Sequence, residues 1–198
     1  MSGSGSRCAN SMNARKGRHA SSTTMLGKKA EAEYAAFRKK ANEEYAAAMQ
    51  QAWQKMGVKA SLYPALRSQI EGKSVKKQVT MLLDFVQTAF DYATDQEQFG
   101  YERPLFGDES FYYPKNDCED RSILFSILVR DLVKLDVALV HWPGHLATAV
   151  AFPEQVEGDH FTLDGRNYTV CSPTYVGAGI GMTMPDFKNV NAELILLK

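Results

Sequence analysis

Cys118 is the residue in this sequence whose position is best suited to chemistry. Asp117 precedes it as a typical helix N-cap, and an apolar helical pattern runs from Cys118 to about Lys134. In the first turn of a helix, unpaired backbone N–H groups and the helix dipole favour a thiolate and can bind the oxyanion of an acyl-transfer intermediate. Asp120, which completes a capping-box pattern, and Glu119 oppose the thiolate with negative charge. The pattern indicates either a thiol nucleophile or a small buried hydrophobic residue.

His145 is the histidine best placed to act as the base for such a thiol. Of the four histidines, His19 lies in a polar N-terminal segment and His160 among turn residues, whereas His145 opens a predicted strand. The residues that share its side of the strand are small, so we expect the Cys118 helix to approach that face. These residues are Ala147, Ala149 and Ala151. The pattern predicts that Cys118 and His145 meet across a helix–sheet contact, roughly 3–4 Å apart.

Metal and cofactor sites are not expected from this sequence. His141 and His145 are four residues apart, a spacing that brings two ligands together on a helix, but Trp142-Pro143-Gly144 excludes a helix between them. The glycine-containing stretch 177–181 lacks the Lys-Ser/Thr ending of a phosphate-binding loop. We therefore predict no metal ion and no cofactor.

Motifs along the second half of the chain resemble those of bacterial members of the transglutaminase-like superfamily. They are YPKNDCEDR at 113–121, WPGHLATAV at 142–150, VCSPTY at 170–175 and GMTMP at 181–185. The resemblance extends over roughly residues 74–187. It implies a papain-type arrangement, with a nucleophilic cysteine on a helix and a histidine and an aspartate on adjacent strands. By this resemblance Cys118 is the expected nucleophile and His145 the general base and acid.

Ser172 departs from the family pattern, which has an aspartate at the matching position. A carboxylate there would hold the histidine in one tautomer and stabilise its imidazolium, whereas a hydroxyl brings no negative charge. Asp164 is the nearest acid in sequence, but Asp164-Gly165 is a hairpin signal that should point this side chain away. The implied catalytic set is therefore Cys118, His145 and a weakened third position at Ser172.

The oxyanion donors are less clearly marked. Tyr112 and Tyr113 lie just upstream of Cys118, where related folds often have a side-chain donor, although core packing is an equal alternative for both. Cys171 precedes Ser172 on a predicted strand, so it should face the opposite side. We interpret Cys171 as buried structure.

The elements that position these residues are predicted as helices first and an antiparallel sheet afterwards, which is the α+β pattern. Helices are predicted at 27–56, 74–92 and 118–134, with an aromatic-rich loop at 94–116. Strands are predicted at 137–141, 145–152, 161–163 and 166–171. The family resemblance refines this to a papain/transglutaminase-like core, with the sheet packed on the cysteine-bearing helix.

Three regions are predicted along the chain. Residues 1–24 have the composition of a disordered tail, 25–60 contain a long amphipathic helix that ends at Gly57, and 61–198 form the transglutaminase-like domain. The helix 27–56 carries one apolar stripe. That stripe could pack on the globular part of the same chain or support self-association.

Composition limits the classes of partner. The 198 residues carry 23 basic and 23 acidic side chains, and this zero net charge argues against a protein built to hold nucleic acid. No apolar run reaches the roughly 20 residues of a membrane span, and no signal-peptide core is present. A cytoplasmic location is the default expectation, with export the alternative if a leader precedes Met1. The three scattered cysteines form no disulfide framework.

The function that these observations favour is thiol acyl transfer on a protein or peptide substrate. Hydrolysis of a peptide or isopeptide amide is preferred over transfer to an amine, because transfer needs a site that excludes water. The alternatives are a binding module that has kept the fold and lost the chemistry, which Ser172 favours, and a helical scaffold joined through residues 27–56.

Overall fold

The computed structural model describes residues 57–197 and the single positions 36, 40 and 44. The chain divides into two compact units, Met1–Asn42 and Glu43–Lys198, and every element discussed below belongs to the second. Apart from those three positions, the predicted tail 1–24 and the predicted helix 27–56 lie outside the described residues.

Helices form the first half of the described segment. They are α1 (Gly57–Ile70), α2 (Val75–Thr88), α3 (Asp95–Phe99), α4 (Glu109–Tyr112) and α5 (Cys118–Leu128), which continues as a π-helix over Val129–Val133. Ser74 caps α2 by accepting the Lys77 N–H, and Asp117 caps α5 by accepting the N–H groups of Glu119 and Asp120. Both caps confirm the N-termini predicted from the sequence.

Several boundaries differ from the predicted ones. The pattern predicts that a helix ends at Gly57, but Gly57 belongs to a helix that extends to Ile70. Helix α2 stops at Thr88, because the chain then extends into strand β1 (Asp91–Tyr92), which pairs in parallel with β2 (Lys115–Asn116). The segment 94–116, predicted as a loop, contains α3 and α4. These short elements depend on tertiary contacts, which a pattern along the chain does not report.

An antiparallel sheet of five strands forms the second half, in the order β5-β6-β4-β3-β7. The strands are β3 (Val137–Trp142), β4 (His145–Val150), β5 (His160–Leu163), β6 (Arg166–Cys171) and β7 (Glu193–Leu196). The first four confirm the predicted strands, whereas β7 was not predicted. Asp164 and Gly165 join β5 to β6 with φ of 50° and 76°, the positive values that a type I′ hairpin turn requires. The α+β class is thus confirmed.

The two faces of the sheet pack against different partners. Leu146 and Val150 of β4 join the main core with α5, and the Ser122 hydroxyl of α5 donates to the Leu146 carbonyl oxygen at 3.0 Å. The alternate residues of β4 pack in a second cluster on the opposite face, with Trp142 and Tyr168. These residues are Ala147, Ala149 and Ala151. The prediction that the alanine face meets the Cys118 helix is therefore wrong, since the larger aliphatic side chains fill the space beneath that helix.

None of the helices that the described residues form combines the length and the apolar character needed to traverse a lipid bilayer.

Candidate active site around Cys118

Cys118 occupies the first position of α5 and is 8% exposed. Burial raises the pKa of its thiol to about 12; hydrogen bonding from the Leu146 backbone lowers the pKa, and the charges of Asp117 and Glu119 raise it further. The expectation that the helix start makes a thiolate easy to form is not met here, because desolvation outweighs the backbone donors. Cys118 belongs to the same core cluster as Leu146, the second residue of strand β4.

Asp117 accepts hydrogen bonds from most of the N–H groups in the first turn of α5. The Asp117 side chain accepts the N–H groups of Glu119 and Asp120 at 2.9 and 3.2 Å, and its carbonyl oxygen accepts that of Arg121 at 3.3 Å. The N–H of Cys118 itself remains, and it lies close enough to its own sulfur to lower the thiol pKa. An oxyanion formed at Cys118 would therefore find one backbone donor in this turn.

His145 is the first residue of β4, immediately before Leu146. Its imidazole stacks on Phe187, with ring centres 4.6 Å apart and planes 7° apart, and it faces Trp142 at 6.2 Å. Burial lowers the pKa of His145, so the ring is neutral at pH 7. Within the described part of the chain, no hydrogen bond joins His145 to Cys118, and the buried Nε2 has no partner. Cys118 packs in the core with Leu146, whereas the neighbouring His145 ring lies against Phe187 on the other face of the sheet.

Ser172 follows the last residue of β6 and is 2% exposed. The pairing of Thr148 with Cys171 sets Ser172 beside Ala147, whose side chain shares the sheet face of His145. The Ser172 hydroxyl is buried and, in the described region, has no hydrogen-bond partner. Cys171 lies in the core with α5, which confirms that the two neighbours face opposite sides. Two orphaned polar atoms, Ser172 Oγ and His145 Nε2, thus lie on one side of the sheet.

The two tyrosines predicted as oxyanion donors make contacts with other aromatic groups. Tyr112 is 80% exposed and meets the ring of Tyr113 edge-on at 5.1 Å. Tyr113 also packs against Phe99 at 5.3 Å and against the Arg103 guanidinium at 5.1 Å. A different tyrosine, Tyr92, lies on β1 opposite Asn116, two residues before Cys118.

Arg121 and Gln87 connect α5 to the Ser172 region, and sequence reasoning assigned a role to neither. Arg121, the last residue of DCEDR, is 1% exposed and donates to the carbonyl oxygens of Phe90 at 2.6 Å and Gln87 at 3.4 Å. The Gln87 amide in turn donates to the carbonyl oxygen of Ser172. The sequence contains one signal for this role: Gln87 lies on an otherwise apolar helix face, and a buried polar side chain needs hydrogen-bond partners.

Asp120 lies on the buried side of α5 rather than in a capping box. Its Oδ1 accepts the Leu105 N–H at 2.9 Å, and Oδ2 is buried without a partner in the region that the structure describes. Burial raises the pKa of this carboxyl to about 7, and the charge of Asp117 adds to the shift. Asp120 therefore anchors the 94–116 segment to the helix.

The histidines in the described part of the chain lie apart from one another. His141 pairs with Leu146 across the β3–β4 hairpin and so lies on the α5 face, whereas His145 lies on the opposite face. His160 is exposed on β5, and Asp164 is exposed in the hairpin turn. His141 and His145 therefore do not converge on a shared metal position.

The models of known protein families and the curated proteins give no match to this chain.

Proposed function

We propose that this chain is a thiol acyl-transfer enzyme of the transglutaminase-like kind, a cysteine peptidase or amidase that acts on a peptide or isopeptide amide. The observation that carries the proposal is the packing of the Cys118 helix on the start of β4. Cys118 and Leu146 belong to one core cluster, and the Ser122 hydroxyl donates to the carbonyl oxygen of Leu146, the residue directly after His145, at 3.0 Å. A thiol at a helix start and an imidazole at the adjoining strand start are the pair that nucleophilic catalysis requires.

The resting pair is a neutral thiol and a neutral imidazole, because burial raises the Cys118 pKa and lowers the His145 pKa. In the reaction the thiol proton moves to His145 while the sulfur attacks the substrate carbonyl carbon. The imidazolium then protonates the leaving amine as the C–N bond breaks. Water, deprotonated by His145, cleaves the thioester and restores the thiol.

The proposal is tested by acetylation with p-nitrophenyl acetate, followed by p-nitrophenolate release and mass analysis of the modified cysteine. We expect acetylation at Cys118, which is 8% exposed, and not at Cys171, which is 0% exposed. His145→Asn should slow acetylation by about 10²–10⁴-fold, the usual contribution of a general base. His160→Asn is the matched control, because His160 is exposed on the edge strand β5. His141→Asn tests the rival histidine, which lies on the α5 face.

Two outcomes would contradict the proposal. If the wild-type protein is not acetylated at Cys118, the thiol is not a nucleophile in this fold. If His141→Asn slows the reaction and His145→Asn does not, the base has been assigned to the wrong histidine.

A catalytically inactive binding module is the second candidate. The orphaned Ser172 hydroxyl and His145 Nε2 favour it, as does the raised pKa of the Cys118 thiol. This candidate predicts that neither the wild-type protein nor the Ser172→Asp variant is acetylated faster than the Cys118→Ser background.

Self-association through residues 27–56, which lie mostly outside the described residues, is also proposed. Its test is the molar mass from light scattering over a range of protein concentrations. A mass that stays at the monomer value would exclude it.

A further inference from the structure

The proposed reaction needs a second oxyanion donor that the first turn of α5 does not supply. The tetrahedral intermediate places negative charge on the former carbonyl oxygen, and preorganised donors around that oxygen are a major source of rate enhancement. Asp117 holds the N–H groups of Glu119, Asp120 and Arg121, so the N–H of Cys118 is the donor left in that turn. A side chain beside Cys118 must therefore provide the other.

Tyr92 is positioned beside Cys118 by two independent contacts. Its strand β1 pairs with β2, and Tyr92 lies opposite Asn116, two residues before Cys118. Its ring centre is 5.7 Å from the guanidinium of Arg121, which is three residues after Cys118 and so lies on the same helix face. Because Arg121 is buried and bonded to the Phe90 carbonyl oxygen, the surface under the ring is fixed.

Tyr92 is also open to a substrate. It is 51% exposed, although it is a large aromatic residue, whereas the neighbouring Asn116 is 2% exposed. An amide approaching the Cys118 sulfur from solvent would thus pass a phenol that is anchored on one side and accessible on the other.

We propose that the Tyr92 phenolic O–H is the second oxyanion donor, acting together with the Cys118 N–H. This inference rests on the proposed acyl-transfer function. As the C–S bond forms, the π electrons of the substrate C=O move to oxygen, and Tyr92 donates a hydrogen bond to that oxygen without giving up its proton. When the oxyanion collapses and the C–N bond breaks, the His145 imidazolium supplies the proton of the leaving amine.

The electrostatics of Tyr92 suit this role. Burial is the largest of the causes that raise the pKa of Tyr92 to about 12. The charges that Cys118 and Asp117 carry when ionised act in the same direction, and the charge of Arg121 opposes them. The phenol therefore remains protonated, and remains a donor, throughout the neutral and mildly alkaline range.

The test compares two reagents on three proteins. p-Nitrophenyl acetate passes through an oxyanion, whereas alkylation by iodoacetamide is a displacement that forms none. Tyr92→Phe keeps the ring on Arg121 and removes only the hydroxyl. We expect it to slow acetylation of Cys118 by about 10²–10³-fold and to leave alkylation within about twofold of wild type. Tyr112→Phe, the same change at an exposed tyrosine, should leave both rates unchanged.

Each other outcome overturns the inference. Tyr92 is not the donor if wild type and Tyr92→Phe are acetylated at the same rate, or if Tyr92→Phe slows acetylation and alkylation equally. Either result leaves the proposed acyl-transfer function intact. Slowing by Tyr112→Phe alone would move the donor to Tyr112. A wild-type protein that is not acetylated at Cys118 overturns the proposed function itself, and this inference with it.

Discussion

The side-chain amide nitrogen of Gln87 donates to the carbonyl oxygen of Ser172 at 2.9 Å, which joins two residues 85 positions apart. The same nitrogen donates to the Ala178 carbonyl oxygen at 3.1 Å, and the amide oxygen accepts the Gly177 N–H at 3.2 Å. Gln87 is 2% exposed, and the two bonds that its amide nitrogen donates are buried. One side chain on α2 thus holds both ends of the loop that follows Ser172.

Replacing Gln87 with leucine should release this loop. The buried carbonyl oxygens of Ser172 and Ala178 and the N–H of Gly177 would lose their partner. The loss should reduce the free energy of unfolding by roughly 2–4 kcal/mol and lower Tm by roughly 5–15 °C. Hydrogen exchange of residues 173–182 should increase. Gln78→Leu on the same helix is the control, because the Gln78 side chain donates to the Lys73 carbonyl oxygen at the exposed start of α2. Equal effects of the two changes would show that the loop is not held by Gln87.

Ser172→Asp should supply the carboxylate that the family pattern contains. A charge beside His145 would raise the imidazole pKa, stabilise an imidazolium next to the thiol and so lower the Cys118 pKa. Alkylation of wild-type Cys118 should keep rising with pH through the alkaline range, since its pKa is about 12. In Ser172→Asp the rate should level off at a lower pH, and turnover should rise by ~10- to ~10⁴-fold.

Ser172→Asn is the control for this change, because asparagine has nearly the same shape as aspartate and carries no charge. It should reproduce the wild-type pH profile. If the aspartate and asparagine variants alkylate alike and neither cleaves a peptide library, the lost carboxylate is not what limits this site.

Asp120 should make stability fall as pH rises. Folding raises the pKa of this carboxyl from 3.8 to about 7. Between these two pH values Asp120 is protonated in the folded protein and ionised in the unfolded chain. The stabilisation is fully present below about pH 4 and is lost as pH rises through about 7. Asp120→Asn still accepts the Leu105 N–H but does not ionise.

The measurement is the free energy of urea unfolding at several pH values for wild type and Asp120→Asn. As pH rises from 4 to 8, the free energy of unfolding of Asp120→Asn should increase by roughly 1–4 kcal/mol relative to that of the wild type. Parallel curves for the two proteins would mean that Asp120 titrates normally in the folded state.

Gly158 and Gly181 approach each other too closely for a side chain. A Cβ at Gly158, where φ is +119°, would lie 2.5 Å from the Gly181 Cα, and the Gly181 carbonyl oxygen accepts the Asp159 N–H at 2.8 Å. Gly158→Ala should therefore cost about 2–4 kcal/mol of stability, because backbone has to move. Gly165→Ala meets no atom within 4 Å and should cost only about 1–2 kcal/mol for its positive φ. Equal losses in Tm would contradict the close-approach explanation.

The sequence by itself determined the local elements around the site. Ser74 and Asp117 cap the helices that they were predicted to cap, because an N-cap side chain bonds to N–H groups two or three residues ahead. Asp164-Gly165 turns the β5–β6 hairpin, because two residues with positive φ suffice to specify it. These features depend on neighbours along the chain, so a single sequence reports them.

Only the tertiary structure decided which groups meet. Side chains alternate along β4, so Leu146 and His145 lie on opposite faces of the sheet. Both faces are apolar, and the alternation alone therefore does not indicate which face packs against α5. Gln87, Arg121 and Tyr92 reach the site through contacts that span tens of residues. The Cys118 thiol is the clearest case: the helix start favours the thiolate locally, yet burial by the folded core raises its pKa to about 12. Desolvation depends on everything packed around a group, and no pattern along the chain contains it.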